Sequence, residues 1–196
     1  MRREYVAQDR RIRKSKQAIH HAFLQLLTET SFDKLTIQQL TETADINRST
    51  FYSYYVDKYD LLEEIENKLI QDLQHFIAEQ HQQQHNIMLK NIITYLIDHI
   101  DNHRDVFSIL FKIGKASMIQ EKLYNLIYNH LSQYKNEDDT IEGMPFSYYM
   151  SYVSGAGISL VKHWIQDPHP IAKAQLEYHF YQIVSHGAAS MIRFDS

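Results

Sequence analysis

The stretch Asn47-Arg48-Ser49-Thr50-Phe51-Tyr52-Ser53-Tyr54-Tyr55 holds the side chains of this 196-residue chain best suited to a specific task. Arg48 carries a planar fork of donors that matches guanine O6 and N7. The hydroxyls of Thr50, Tyr52 and Tyr54 can donate to phosphate oxygens, and Lys58 places a cation and a helix N-terminus at a nucleic-acid backbone. Phe51 and Tyr55 lie four apart and face one way, back onto Ile37, Leu40 and the first helix. Arg48 and Tyr52 share the opposite side. Ser49 and Thr50 fall near the helix start, the end that enters a major groove. The tyrosines also fit an ordinary amphipathic core: Tyr55 is assigned to it, Tyr52 and Tyr54 to contact.

Other chemistries find little footing. Among twelve histidines, His81/His85 and His99/His103 have the i, i+4 spacing that puts two imidazoles on one helix face. Neither pair has the adjacent acid of an HExxH zinc site, and such pairs arise by chance at this histidine content, so no metal is assigned. The absence of cysteine excludes a disulfide scaffold, a thiolate zinc site and a Cys nucleophile. Without GxSxG, P-loop or GxGxxG signatures, neither a cofactor nor an enzyme activity is expected.

The formal net charge is −4, but it is unevenly spread. Residues 1–16 hold seven Lys/Arg (Arg2, Arg3, Arg10, Arg11, Arg13, Lys14, Lys16) against Glu4 and Asp9. This reads as a basic arm on an acidic body, or alternatively as a solvated, frayed end. Five glycines and three prolines leave too little turn chemistry for a many-stranded sandwich and favour long helices. No apolar run approaches the roughly 18 residues of a membrane span. Met1-Arg2-Arg3-Glu4-Tyr5 leads into charge rather than an apolar core, so a soluble, cytoplasmic protein without a membrane partner is expected.

Periodicity supplies the elements. Ile12, Ile19, Phe23, Leu26 and Leu27 recur at helical spacing over Arg10–Thr28. Thr36 is a good N-cap for a short helix burying Ile37, Leu40, Thr41 and Ala44. The pattern breaks at Asp45-Ile46-Asn47, resumes over Arg48–Tyr55, and breaks again at Val56-Asp57. Asp57 is placed to cap a long helix from Lys58 that fades over Glu79–His85. Further helices are expected over Ile87–Ile100, Asp105–Ile113, Ser117–Gln133, Phe146–Gln166 and Ile171–Met191, with an exposed loop over Lys135–Pro145. Asp167-Pro168-His169-Pro170 stops the penultimate helix, because proline lacks the amide hydrogen. The expected fold is all-α with about nine helices. A three-helix helix-turn-helix domain spans residues 1–57, and a larger helical ligand-binding and dimerisation domain spans 58–196.

The segment Leu35-Thr36-Ile37 … Ala44-Asp45-Ile46-Asn47-Arg48-Ser49-Thr50-Phe51-Tyr52-Ser53-Tyr54-Tyr55-Val56-Asp57-Lys58-Tyr59-Asp60-Leu61-Leu62 closely resembles the DNA-binding domain of TetR-family transcriptional regulators. The resemblance rests on T-x-x-x-L-x-x-x-A followed by Thr-aromatic-Tyr and Lys-x-x-Leu-Leu. It implies a homodimer on a pseudo-palindromic double-stranded operator, usually a repressor released by a small-molecule effector. It also implies phosphate contacts from Tyr52, Tyr54 and Lys58, and base or backbone contacts from Asn47, Arg48 and Ser49. Thr36 and Thr50 complete the candidate DNA-binding set. Two positions depart from the pattern: Asp45 stands where the family usually has glycine, and Ser49 where it often has Gly or Ala. A left-handed turn at Asp45 costs on the order of 1 kcal/mol relative to Gly. A co-regulator of the same fold that acts through a protein partner is the alternative reading.

In the second half, Phe146, Tyr149, Val153, Ala156, Leu160 and Trp164 form a near-heptad stripe, with Gly155 and Gly157 inside the helix. Helical glycine costs ~1 kcal/mol relative to Ala, so another backbone is expected to approach there. Phe180, Ile183 and Gly187 lie on the matching face of the last helix. A four-helix dimer interface built from Val153, Gly155, Ala156, Gly157, Leu160, Trp164, Phe180, Ile183 and Gly187 follows, against intramolecular packing as the alternative. The phrase Tyr152–Gly157 … Lys162–Ile165 is similar to the C-terminal domain of one TetR subgroup. Phe107, Phe111, Tyr124, Tyr128 and Tyr149 could line an effector cavity, although an aromatic stripe at helical spacing is more often core.

Overall fold

The computed structural model describes residues 2–79 and 85–187, with side chains over 10–79 and 89–187. The side chains of Arg2, Arg3, His81 and His85 lie outside that set, as does Met191. Nine α-helices run through the described residues, joined by short 3-10 turns and one two-stranded ribbon. They form two compact units, neither continuous in sequence: Met1–Lys68 with Ile109–Ile119, and Leu69–Ser108 with Gln120–Ser196. The first unit thus runs past residue 57.

The first unit opens with α1 (Arg2–Glu29), eight residues longer at its start than the apolar period indicates. The sequence of those early turns carries no apolar period, so nothing periodic marks them; their Arg, Glu, Ala and Gln residues are sound helix formers. Further along, Ile19, Ala22, Phe23 and Leu27 are buried at i, i+3, i+4 and i+8. A 3-10 turn (Phe32–Lys34) leads to α2 (Ile37–Thr43) and α3 (Arg48–Tyr52), which ends three residues sooner than expected. Phe23 meets Phe32 edge-on at 6.2 Å. α4 (Lys58–Glu79) begins where Asp57 accepts hydrogen bonds from the amides of Tyr59 (2.8 Å) and Asp60 (3.0 Å), the expected cap.

The second unit holds the remainder of α4, α5 (His85–Asn102), most of α6 (Arg104–Lys112), α7 (Ile119–Leu131), α8 (Phe146–Gln166) and α9 (Lys173–His186). Its core includes Leu73, Ile97, Ile100, Phe107, Phe146 and Met150. Lys173 reaches Asp98 and ties α9 to α5. The predicted loop before α8 contains β1 (Thr140–Ile141) and β2 (Met144–Pro145), paired antiparallel. Glu142 and Gly143 both take positive φ (48° and 80°), the handedness that a tight two-residue hairpin turn requires. Strands of two residues carry no readable period, which is why a loop was expected there.

Candidate nucleic-acid interface

Local sequence shapes the helix-turn-helix. Thr36 Oγ1 accepts from the Gln39 amide at 3.2 Å, and Gln39 Oε1 accepts from the Thr36 amide at 3.0 Å. This reciprocal capping box starts α2 abruptly. The helix ends at Ala44, and Asp45 adopts φ 51°, the left-handed step expected where related sequences carry glycine. The Ile46 amide then donates to Thr41 O at 3.0 Å, closing the turn. Asn47 enters α3 in extended geometry, and its side chain makes no cap hydrogen bond.

The division of faces along α3 follows the sequence. Phe51 is wholly buried and Tyr55 is 2 % exposed, while Tyr52 is 51 % exposed. Asn47, Arg48 and Ser49 are exposed, and Thr50 and Tyr54 are half-buried. The Tyr52 ring stands edge-on to Phe51 at 5.5 Å, so the anchored ring supports the exposed one. Six candidates therefore sit on one accessible polar strip: Asn47, Arg48, Ser49, Thr50, Tyr52 and Tyr54.

The other two candidates, Thr36 and Lys58, have partners within the protomer. The Thr36 hydroxyl donates to Gln39 Oε1 at 2.9 Å, leaving it no proton for a phosphate. Lys58 Nζ donates to the carbonyls of Phe32 (2.8 Å), Asp33 (3.1 Å) and Leu35 (3.0 Å). All three ammonium protons thus point at carbonyls at the end of the 3-10 turn, of which Phe32 O also accepts from the Leu35 amide at 3.3 Å. Lys58 also lies over the Phe32 ring, 4.8 Å from its centroid. Residue type predicts a cation at this helix start, but not that carbonyls from an earlier turn would surround it.

Sequence reasoning also missed the polar network behind α3. Tyr55 donates its hydroxyl to Glu64 Oε1 at 2.8 Å, and His20 Nε2 lies 3.0 Å from that hydroxyl and 3.1 Å from Oε1. Lys16 completes the set on Glu64 Oε2. One carboxylate therefore joins α1, the segment after α3, and α4. Burial pushes the Tyr55 phenol well above its usual range, and the hydrogen bond to Glu64 adds to the effect. Burial likewise holds His20 below its usual value, outweighing the attraction of Glu64. For Glu64 itself, burial favours the protonated acid, but the bonds from Lys16 and Tyr55 prevail and lower its pKa.

A second acid, Glu66, is 1 % exposed. Its Oε1 accepts from the Ser117 hydroxyl (2.7 Å) and the Met118 amide (2.9 Å). Its position in the apolar stripe Leu62, Glu66, Leu69, Leu73 was a readable signal of a buried, bonded carboxylate.

The expected cavity aromatics are dispersed. Phe111 is buried in the first unit, whereas Phe107 is buried in the second and meets His99 edge-on at 6.1 Å. Tyr128 packs 5.3 Å from Phe146, with Tyr124 and Tyr149 beside this pair. A groove of about 330 Å³ in the second unit is lined instead by α5 and α9, including Ile93, Thr94, Tyr178 and Tyr181. Among the described residues, no cluster of three or more His, Asp or Glu could hold a metal ion.

The expected dimer face divides similarly. Trp164 is 4 % exposed within its own unit, donates Nε1–H to Ile171 O at 2.9 Å, and lies under Arg104 at 4.0 Å. Phe180 is 8 % exposed, and a methyl on Gly157 would come within 3.4 Å of its ring. A side chain of α9, not a second backbone, thus occupies the Gly157 side of α8. Within the protomer, Trp164, Phe180 and Gly157 thus all make intramolecular contacts. Gly187 adopts φ 81° and closes α9. Val153, Leu160 and Ile183 are half-buried, while Gly155 and Ala156 are exposed; a methyl on Gly155 would meet nothing within 4 Å.

Comparison with known proteins agrees with this architecture. Residues 19–65 match the model of bacterial regulatory proteins of the tetR family, and residues 88–186 match that of a transcriptional regulator C-terminal region. A 56-residue stretch is 38% identical to the HTH-type transcriptional regulator YxbF of Bacillus subtilis (strain 168), spanning 28% of this chain and 15% of that protein. A TetR transcriptional regulator from Streptococcus agalactiae shares the fold with TM-score 0.65 and 24% identity, over 92% of this chain and 98% of that one. Thermus thermophilus FadR in complex with lauroyl-CoA does so with TM-score 0.61 and 16% identity, over 92% and 97%. FadR from Bacillus subtilis in complex with stearoyl-CoA gives TM-score 0.62 and 16% identity, over 87% and 98%. Among the described residues no helix is long and apolar enough to cross a membrane. With both halves of the chain matched and the helix-turn-helix strip exposed, the chain belongs to the TetR family of bacterial transcriptional regulators.

Proposed function

We propose that this protein is a cytoplasmic, non-enzymatic repressor that binds a pseudo-palindromic DNA operator as a homodimer and is released by a small-molecule effector. The observation that carries the DNA-binding reading is the polar strip of α3, exposed above a fully buried Phe51. Arg48 reads bases, aided by Asn47 and Ser49, while Thr50, Tyr52 and Tyr54 donate to phosphates. The exposed Gly155–Ala156 surface of α8 is the starting point for the dimer contact, with Val153, Leu160 and Ile183 at its margin. Residues 1–57 supply the DNA-binding domain and residues 58–196 the regulatory and dimerisation domain.

Selection of bound sequences from random double-stranded DNA tests this directly. Enrichment of an inverted repeat with half-sites about 34–36 Å apart is expected. Repeating the selection with lauroyl-CoA or stearoyl-CoA tests the ligand class held by two proteins of the same fold, and loss of enrichment identifies an effector. Glu42 and Asp45, both exposed beside α3, favour the second reading, a co-regulator that docks on a protein partner. A selection that enriches no sequence decides for it.

A further inference from the structure

The DNA-binding reading leaves a problem of charge. From residue 15 to residue 60 the chain carries four Lys/Arg and six Asp/Glu. Of the four cations, Lys16 is paired with Glu64, and Lys58 has its protons on three carbonyls. That leaves Lys34 and Arg48, with Glu42 and Asp45 beside α3. A surface with this balance attracts a polyanion poorly, because non-specific affinity comes from cations that displace counterions at phosphates.

The missing cations stand at the start of α1. Arg10, Arg11, Arg13 and Lys14 are all exposed, although the chain is already helical there. Among the described side chains, the first buried one in α1 is Ile19. At about 1.5 Å per residue, Arg10 lies about 13 Å ahead of it along the helix. Arg10, Lys14 and Arg11 occupy an arc of about 100° on the helical wheel. Arg11 and Ser15, one turn apart, line one open groove of about 650 Å³ together with Asn47, Thr50, Ser53 and Tyr54. Arg11 of the cationic ridge therefore opens onto the same groove as Asn47, Thr50 and Tyr54 of the reading strip. Glu42 and Asp45 also line this groove, and they keep a phosphate away from its floor.

From this arrangement we infer that the Arg10–Lys14 stretch of α1 is a second DNA-backbone element. Arg11 and Lys14, with Arg10 beside them, bind phosphates flanking the bases that α3 reads. The inference rests on the DNA-binding reading above. The ridge provides affinity without sequence, and α3 provides sequence with little affinity of its own.

The test compares full-length wild type, Arg11→Gln/Lys14→Gln, and the charge-matched control Lys90→Gln/Lys162→Gln, on the selected sequence and on an unrelated duplex. Binding is measured between 50 and 200 mM salt. Loss of two phosphate contacts lowers the slope of log K against log salt by about 1.8 per protomer. Over that range the salt-induced loss of affinity should shrink about 12-fold per bound protomer in the ridge variant, or about 150-fold for a bound dimer, on both duplexes. Arg11→Lys/Lys14→Arg should restore the wild-type slope, and the control should keep it. An unchanged slope in the ridge variant overturns the inference, as does an equal drop in the control, which would assign the effect to net charge alone. If wild type selects no sequence, the DNA-binding reading fails and takes this one with it. If wild type selects a sequence and the ridge variant matches its slope, only this inference fails.

Discussion

Glu64 is the residue whose removal should travel furthest through the DNA-binding unit. Tyr55→Phe deletes a hydroxyl that donates to Glu64 Oε1 at 2.8 Å from a ring only 2 % exposed. A hydrogen bond to a carboxylate contributes about 1.5–3 kcal/mol, and the exposure of Glu64 places this one near the lower end. Glu64→Ala removes the same bond together with those from His20 and Lys16. The Lys16 pair, with side chains 33% and 37% exposed, adds less than about 1 kcal/mol because solvent screens it. His20 stays within 3.0 Å of the Tyr55 hydroxyl and accepts its proton in the variant, which limits the penalty. Glu64→Ala should therefore cost about 2–3 kcal/mol and Tyr55→Phe about 1.5. Because both delete one shared bond, the double variant should fall short of their sum by about 1 kcal/mol or more. Amide hydrogen exchange over residues 48–64, in all four proteins, reports local opening free energies and isolates this part of the chain. Costs that add to within about 0.3 kcal/mol would show that Glu64 and Tyr55 do not act as a unit.

Arg48→Ala should relax base preference at one position of the selected site by about 1–3 kcal/mol, whereas Tyr52→Phe should weaken all sequences evenly; competition binding on a panel of single-base operator variants separates the two. Asp45→Gly relieves a left-handed aspartate at φ 51° but frees the unfolded chain, so a net gain of at most about 1 kcal/mol is expected, whereas Asp45→Val should destabilise; thermal melting orders the three proteins. His20 and His99 are held below their usual 6.5, chiefly by burial, so the folded protein binds fewer protons than the unfolded chain. Their contribution is complete above about pH 6.5 and is lost as pH falls through the lowered values; melting from pH 7.5 to 5 should show this decline, and His99→Gln should flatten part of it. Gly155→Ala should strengthen α8 by ~1 kcal/mol in the monomer, while Gly155→Leu should weaken self-association, as read by sedentation-equilibrium-type ultracentrifugation across concentration.

Where an apolar period and a chemical stop coincide, residue types alone located the element. α8 runs from Phe146 to Gln166 as expected, because its buried stripe is long and proline stands at both margins. The helix-turn-helix was equally legible: Thr36 and Asp57 cap the helices they were expected to cap, and the faces of Phe51 and Tyr52 separate as spacing requires. Elements without an apolar period in their sequence escaped, notably the first turns of α1 and the ribbon around Glu142-Gly143. Partner choice escaped as well. Lys58 and Trp164 have types suited to phosphate or a dimer face, yet within the protomer each donates to backbone carbonyls that no spacing rule specifies. Phe107 and Phe111 sit four apart on one helix but fall in different compact units, a division that helical spacing does not reveal.

The segment Ile109–Ile119 belongs to the first compact unit although it is encoded far from the rest of it. Glu66 needs that segment, since Ser117 and Met118 satisfy its buried carboxylate. A fragment ending at Lys68 would keep every base-reading residue but strip this acid of its Ser117 and Met118 donors. Grafting the reading head onto another regulator by a single splice would carry the same defect. A working chimera has to transplant residues 109–119 as well, or replace Glu66 with an apolar residue matched to the new neighbour.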